Sequence, residues 1–137
     1  MFFETKVKVR YQETDQMGVA HHSVYPIWYE EARTNFIKSC LKISYSQIEE
    51  KGILFPLSKL SCKYIKPALY EDILTIQVYL KNVSPVKIDF EYKIFKDNEL
   101  INTGYTEHPF INKDFKLINL KKYNLEIYNL INSAYKN

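Results

Sequence analysis

One long helical pattern followed by four strand patterns limits most strongly what this chain can fold into. From about residue 23 to residue 40, apolar residues recur at steps of three and four, which predicts an amphipathic helix roughly 25 Å long. Ser23 is its expected N-cap, and Pro26 falls in the first turn, where no backbone N–H is needed. The apolar stripe comprises Tyr25, Trp28, Tyr29, Ala32, Phe36 and Cys40.

Strand patterns precede and follow this helix. The first alternates apolar with basic residues, and the later ones are rich in β-branched and aromatic residues. The predicted strands are residues 6–11, 55–66, 73–83, 86–96 and 99–111. The alternation slips after Ile94, and Asp97 with Asn98 marks a turn between the last two strands. One long helix against an antiparallel sheet is an α+β fold, and the length fits a single domain over residues 1–137.

Two shorter helices complete the predicted order of elements. Ser44 and Gln47 form a capping-box pattern, and Gly52 is a stop signal for the helix that lies between them. Apolar residues on one helical face predict a terminal helix over about residues 121–135.

Composition excludes several classes of protein. A hydrophobic fraction of 46% and a charged fraction of 26% exclude intrinsic disorder as the main state. The net charge of +3, with both signs interspersed, argues against nucleic acid as a partner. Cys40 and Cys62 form no metal-binding spacing and no disulfide framework. The first residues turn charged too early for a signal peptide, and no apolar run reaches the ~18 residues of a membrane span, so we expect a cytoplasmic protein.

The loop over residues 12–22 carries the most unusual chemistry of the sequence. Asp15 and His22 approach the start of the long helix, where unpaired N–H groups and the positive dipole end can stabilise a developing negative charge. A carboxylate beside such donors suits attack on an activated carbonyl. On pattern alone, Asp15 is more typical of a turn residue than of a catalytic one, and the His pair is more typical of a surface or cap. A metal site would need more ligands, and only His108 remains among the histidines.

Two blocks of residues carry a resemblance to a known family. The first block comprises Arg10-Tyr11, Glu13-Thr14-Asp15, Gly18-Val19, His21-His22, Tyr25 and Glu31-Ala32-Arg33-Thr34. The second reads Tyr-Ile-Lys-Pro-Ala-Leu-Tyr-Glu-Asp over residues 64–72. In this order they resemble the 4-hydroxybenzoyl-CoA thioesterase branch of the hotdog-fold superfamily, including the Tol-Pal-associated acyl-CoA thioesterases. The likeness extends more loosely over residues 7–120.

The resemblance implies a fold, an activity and an assembly. The fold is a long central helix wrapped by a curved antiparallel sheet, and the activity is hydrolysis of a coenzyme A thioester without a cofactor or metal. The assembly is a homodimer with active sites between subunits, commonly paired into a homotetramer. The essential carboxylate falls on Asp15, the loop histidine on His22 and a site tyrosine on Tyr11. Position 21 is more often Tyr in the family, so the choice between His21 and His22 stays open.

These parts suggest a mechanism. The thioester oxygen would bind the backbone N–H groups at His22, Ser23 and Val24, while Asp15 acts as nucleophile or as general base. The predicted acyl contacts are Tyr25 and Trp28, although core packing is the ordinary role of such stripe residues. The cations expected to bind the coenzyme's phosphates are Lys63, Lys66 and Lys87.

Several alternatives remain at this point. Glu30 and Glu31 are rival carboxylates, because a sister branch of the superfamily uses an acid on the helix, but pairing of either with Arg33 is the simpler interpretation. A hotdog module that binds acyl-CoA without cleaving it, or that assembles with partners, is the main alternative to an enzyme. A hydratase or dehydratase on the same fold is the third.

Overall fold

The computed structural model describes residues 2–136, which form one antiparallel sheet, one long helix and three shorter α-helices. The strands are β1 (Phe2–Lys8), β2 (Lys59–Tyr64), β3 (Ile73–Val83), β4 (Lys87–Lys96) and β5 (Glu99–Pro109). The helices are α1 (Tyr25–Cys40), α2 (Tyr45–Glu50), α3 (Leu120–Tyr123) and α4 (Leu125–Lys136). Two 3-10 turns, at Tyr11–Glu13 and His22–Val24, frame the loop between β1 and α1. The predicted α+β class is confirmed.

The five strands lie in the order β1-β3-β4-β5-β2, and every neighbouring pair is antiparallel. The predicted turn between β4 and β5 is confirmed, because Asp97 and Asn98 both have positive φ, as a tight hairpin turn requires. The predicted slip is also confirmed, since the β4–β5 register shifts between Ile94 and Phe95. Strand β2 is an edge strand, and most of its side chains are exposed.

Helix α1 packs its apolar stripe against one face of this sheet. Tyr29 is fully buried, its ring stacks on Tyr92 of β4 at a centroid distance of 4.3 Å, and its hydroxyl donates to the side chain of Asn102 of β5. Gly104 of β5 lies under the same ring, where a Cβ atom would overlap the Tyr29 side chain. The close approach of helix and sheet therefore depends on a glycine at this point.

Four element boundaries differ from the predictions. Strand β1 begins at Phe2, four residues before the predicted start, and ends before Tyr11, which starts a 3-10 turn instead. Strand β2 is shorter than residues 55–66, because residues 55–58, with Pro56 among them, precede it outside the strand, and Ser58 alone of these donates to β5, at the Glu107 carbonyl. The terminal helix is two helices, α3 and α4, separated at Asn124, whose side chain accepts from the N–H of Ile127.

The fourth difference concerns the start of the long helix. Ser23 is not its N-cap, because a 3-10 turn precedes α1 and the imidazole of His21 caps that turn. The capping box of Ser44 and Gln47 is confirmed, as is Gly52 as the stop after α2, with φ of +82°.

A buried chain of hydrogen bonds runs under α1 from Arg33 to the chain before β2. Arg33 Nη1 donates to the Tyr92 hydroxyl at 3.0 Å, which is 2.6 Å from Thr106 Oγ1. Thr106 Oγ1 is 2.9 Å from His108 Nε2, and His108 Nδ1 is 3.2 Å from the carbonyl of Phe55. A neutral imidazole with its proton on Nδ1 satisfies every link, each hydroxyl donating to the next acceptor.

Gly104→Ala should destabilise the fold by about 1–3 kcal/mol, because the added methyl group overpacks the contact between Tyr29 and the sheet. The matched control is Thr103→Ala, at the preceding position of β5, where the side chain lies on the opposite face of the sheet. Denaturant unfolding measures both free energies at one protein concentration. Equal stability of Gly104→Ala and Thr103→Ala would contradict the role given to this glycine.

The stability of the fold should fall as the pH is lowered from about 6.5 to about 4. Burial first, and the nearby Arg33 second, lower the pKa of His108 to about 4. The unfolded imidazole takes up its proton near pH 6.5, so the unfolded state binds more protons in this window. Over this window the free energy of unfolding should fall by about 3 kcal/mol through His108.

The measurement is denaturant unfolding of the wild type and of His108→Gln at pH 7.5, 5.5 and 4.5. Glutamine does not titrate, so its free energy of unfolding should decline less steeply with acid than that of the wild type. Parallel declines in the two proteins would show that His108 is not buried as a neutral group.

Candidate active site

The loop between β1 and α1 is held together by Glu13, which is buried. Its Oε1 accepts from the N–H of Arg10 at 2.8 Å, and its Oε2 pairs with the Arg10 guanidinium at 3.2 Å. Its backbone carbonyl accepts from the N–H of His21 at 2.8 Å. One residue thus ties the beginning of the loop to its end, immediately before the helix.

Asp15 lies at the tip of this loop and has one oxygen engaged. Its Oδ1 accepts from the N–H of Met17 at 2.8 Å, and its carbonyl accepts from the N–H of Gly18 at 3.0 Å. Gly18 has φ of +78°, a conformation that favours glycine. Within residues 2–136 the Oδ2 atom accepts no hydrogen bond. Asp15 is therefore a turn residue that keeps one carboxylate oxygen available for chemistry.

The start of the helix offers fewer free donors than the sequence predicts. The N–H of Ser23 donates to His21 Nδ1 at 3.2 Å, and the N–H of Val24 donates to the His21 carbonyl at 3.0 Å. The N–H of His22 makes no hydrogen bond to any of the residues 2–136. Of the three predicted donors, the one at His22 is thus unengaged in the structure.

Asp15 and His22 meet at a cavity of about 330 Å³ between the loop, the start of α1 and the end of β2. Its lining residues are Asp15, Met17, Val19, Ala20, His22, Tyr25, Tyr64, Ile65, Lys66 and Pro67. Tyr64 packs edge-on against Tyr25 and donates its hydroxyl hydrogen to the His22 carbonyl at 2.8 Å. The end of β2 therefore fixes the helix start where Asp15 approaches it.

Two of the three predicted aromatic site residues, Trp28 and Tyr11, do not line this cavity. Trp28 is 2% exposed and packs against Tyr25, so it supports the wall without lining it, because its position on the stripe turns it into the core. Tyr11 is 76% exposed and lies across Asp15 from the helix, edge-on to Tyr70 in a second depression. Asp15 lines both spaces.

The three predicted lysines have different surroundings. Lys66 lines the Asp15 cavity and pairs with Glu99 at 2.7 Å, with both side chains half exposed. Lys63 is exposed on the face of the sheet opposite α1. Lys87 begins β4 and pairs with Glu107 and with buried Asp89, and it does not line the Asp15 cavity. Its two carboxylate partners already neutralise its charge, so the structure does not support Lys87 as a ligand of the same site.

The expected pairing of Arg33 with Glu30 or Glu31 is wrong. No carboxylate of the described residues lies within ion-pair distance of Arg33, which points under the helix toward Tyr92. Its Nε atom is buried and has no hydrogen-bond partner. Glu31 is exposed, whereas Glu30 and Arg33 line a larger cavity beside β5.

Sequence reasoning assigned no role to two residues that build the site. Glu13 precedes Asp15 by two positions, and a buried acid inside a polar loop shows no periodic signal. Tyr64 opens the second family block, which was the available signal, but its contact with His22 joins residues 42 positions apart.

Two features are absent from the part of the chain that the structure describes. Among residues 2–136, no three His, Cys, Asp or Glu side chains are grouped to hold a metal ion. No helix within the same range has both the length and the apolar character to cross a membrane.

Comparison with known proteins identifies the class to which this fold belongs. The sequence profile of the thioesterase-like superfamily matches residues 9–120. The acyl-CoA thioester hydrolase YbgC of Escherichia coli O6:H1 is 30% identical over 101 residues, covering 73% of this chain and 75% of the relative. YneP of Bacillus subtilis is 34% identical over 119 residues, covering 85% and 86% of the two chains.

A solved structure agrees with the sequence matches. The DHNA-CoA thioesterase of Staphylococcus aureus superposes with a TM-score of 0.91 at 34% identity, covering 96% of this chain and 89% of that chain. The chain belongs to the thioesterase-like superfamily. The predicted hotdog fold, with its curved antiparallel sheet around a long helix, and the predicted class of enzyme are both confirmed.

Proposed function

We propose that the protein hydrolyses an acyl-CoA or aryl-CoA thioester to the free acid and coenzyme A. One observation carries the proposal: the open Asp15 oxygen and the unengaged His22 N–H belong to the same cavity at the helix start. The names of YbgC and of the staphylococcal enzyme, a thioester hydrolase and a CoA thioesterase, support a coenzyme A thioester as substrate.

The thioester oxygen binds the N–H of His22 at the positive end of the helix in this proposal. Ser23 and Val24 contribute by holding the turn, since His21 already accepts from both of their N–H groups. Loss of one such donor typically lowers the rate about 100- to 1000-fold. Tyr64 positions the donor through the His22 carbonyl.

Asp15 acts on the carbonyl carbon, either by direct attack or by taking a proton from water. In the first case an anhydride forms and water then cleaves it, and in the second case water adds in one step. The leaving thiolate needs little assistance, because a thiol has a pKa near 8.5. The His22 side chain orients the thioester from the helix side of the cavity, and Tyr25 lines the space for the acyl group.

The coenzyme portion extends past the cavity mouth in our proposal. Lys66 supplies a cation there, with Lys63 on the far face of the same strand end. Tyr11 contacts the substrate on the side of Asp15 away from α1, together with Tyr70. No cofactor or metal takes part, and we expect the protein to act as a single domain in the cytoplasm.

A homodimer formed through the free edge of β2 is the proposed assembly, and a pair of dimers makes the tetramer. An exposed edge strand offers unpaired backbone groups to another chain. This edge is also apolar, since Leu57, Leu60, Tyr64 and Ile65 are all exposed along it. A two-fold axis would join two β2 strands antiparallel and bring the Asp15 cavities to the subunit boundary.

The main alternative is a module that binds acyl-CoA without cleaving it. Such a module has no use for an open carboxylate oxygen beside the carbonyl site, so Asp15 favours the enzyme. A hydratase usually uses an acid on the helix, and the exposed Glu31 does not line the Asp15 cavity.

Asp15→Asn should lower kcat by about 100- to 10,000-fold and leave KM nearly unchanged, because it removes the charge and keeps the size of the side chain. The assay follows thiol release from an acyl-CoA chain-length panel and from benzoyl-CoA, with and without a chelator. Glu31→Gln is the control and should keep wild-type activity. An inactive Glu31→Gln beside a fully active Asp15→Asn would move the site to the helix, and loss of activity with chelator would contradict metal-free chemistry.

Light scattering should give the mass of a dimer or tetramer, and activity should follow assembly. Leu60→Asp introduces a charge on the β2 edge and should shift the protein toward monomers with low activity. Val86→Asp introduces the same charge at an equally exposed apolar position away from β2 and should change neither property. A fully active monomer would refute this assembly.

A further inference from the structure

The turn over residues 69–72 ends the second family block, and the mechanism above assigns it no role. The N–H of Asp72 donates to the Leu69 carbonyl at 3.0 Å, and the N–H of Leu69 donates back to Asp72 Oδ2 at 2.7 Å. The same Oδ2 lies 2.9 Å from Lys96 Nζ of β4, and the Asp72 side chain is 16% exposed. The carboxylate therefore closes the turn and also attaches it to the sheet.

The backbone of this turn does not hold its shape by its own preference. Glu71 has φ of +70°, a left-handed conformation that glycine or asparagine adopts far more readily than glutamate. Contacts on both sides maintain it. The Val9 carbonyl accepts from the N–H of Glu71 at 3.0 Å on one side, and the Asp72 carboxylate binds Leu69 on the other. Without that carboxylate, the turn is free to relax toward a conformation that Glu71 prefers.

The residues at the start of the turn support the tip of the Asp15 loop. The Ala68 carbonyl accepts from the N–H of Ala20 at 2.8 Å, and Leu69 lies opposite Val19 in a short antiparallel bridge. The Val19 carbonyl in turn accepts from the N–H of Asp15 at 2.9 Å. The turn therefore supports, through one intervening segment of backbone, the residue whose carboxylate we assign to the chemistry.

Side-chain packing contributes little to the order of this segment. Leu69 and Tyr70 are 43% and 50% exposed, and Glu71 is exposed as well. Ala68 is buried, but its single methyl group offers little contact area. The position of the turn against the Asp15 loop therefore depends mainly on hydrogen bonds, and the carboxylate of Asp72 is the side chain that makes them.

We propose that Asp72 is a positioning residue for the reaction, and that its hydrogen bond to Leu69 holds the Asp15 carboxylate where attack or proton transfer requires it. The proposal rests on the proposed thioesterase function. Asp72 lines neither the Asp15 cavity nor the depression beside Tyr11, so it acts through Asp15 and not on the substrate. Displacement of a reacting group by about 1 Å typically costs about 100-fold in rate, so the effect falls on kcat and not on KM.

The first experiment measures kcat and KM on the acyl-CoA that the wild type hydrolyses best. Asp72→Ala should lower kcat about 10- to 100-fold and change KM less than about 3-fold. Asp72→Asn keeps an oxygen that accepts from Leu69, and Lys96→Met removes only the ion pair, so both should stay within about 5-fold of the wild type. The matched control is Glu91→Ala, which removes a carboxylate paired with Lys81 on the same sheet and should keep wild-type kcat.

The second experiment repeats the substitution in the Asp15→Asn background, which separates positioning from a general loss of folded enzyme. If Asp72 acts only through the Asp15 carboxylate, Asp72→Ala should change the residual kcat of Asp15→Asn less than about 3-fold. An equal loss of kcat in both backgrounds, a raised KM at unchanged kcat, or no effect at all would overturn the proposal. Should Asp72→Ala fail to fold, Asp72→Ser, whose shorter side chain reaches Leu69 less well, replaces it in both backgrounds with the same expectations.

Hydrogen exchange tests the same support without any substrate. In Asp72→Ala the backbone N–H groups of residues 14–20 should exchange at least about 5-fold faster than in the wild type, whereas those of residues 99–109 should be unchanged. If the wild type hydrolyses no thioester, the proposed function fails, and faster exchange over residues 14–20 would still establish Asp72 as the support of the loop. Unchanged exchange over these residues would overturn the role of Asp72, whatever happens to the activity.

Discussion

The contact between Tyr29 and the sheet is the constraint on which the site depends. Gly104 leaves room for the ring, Tyr92 stacks on it and Asn102 accepts its hydroxyl hydrogen. These contacts fix the rotation and height of α1 above β4 and β5. The start of the helix takes its place from this contact, and Tyr64 and Glu13 then hold His22 and the Asp15 loop beside it.

Two kinds of signal made the fold predictable from sequence. The apolar stripe of the long helix and the alternation of the strands report burial directly, and the slip at Ile94 and the turn at Asp97-Asn98 follow from local backbone geometry. The element boundaries that were predicted wrongly depend on contacts that the sequence pattern does not show. His21 replaces Ser23 as a cap, and Asn124 interrupts the terminal helix. Both do so through side-chain hydrogen bonds that neighbouring polar residues could equally form.

The candidate site was predictable only in part for the same reason. Asp15 and His22 belong to one short loop, so their proximity could be inferred from sequence distance. Tyr64 and the Arg33 network act across the fold, and the helix pattern of Arg33 resembles that of any surface residue next to an acid. What separates Arg33 from such residues is its hydrogen bond to the Tyr92 hydroxyl and its buried Nε atom, which arise only in the assembled fold.

The strand order has a consequence for synthesis of the chain. Strands β1 and β2 are made first, yet β1 pairs only with β3 and β2 only with β5 within the described residues, so neither finds its neighbour until the later half has emerged. The hairpin of β4 and β5 closes through a two-residue turn and needs little loop entropy. We expect the sheet to grow outward from this hairpin. The exposed apolar edge of β2 would then become ordered late, when its own subunit is nearly complete.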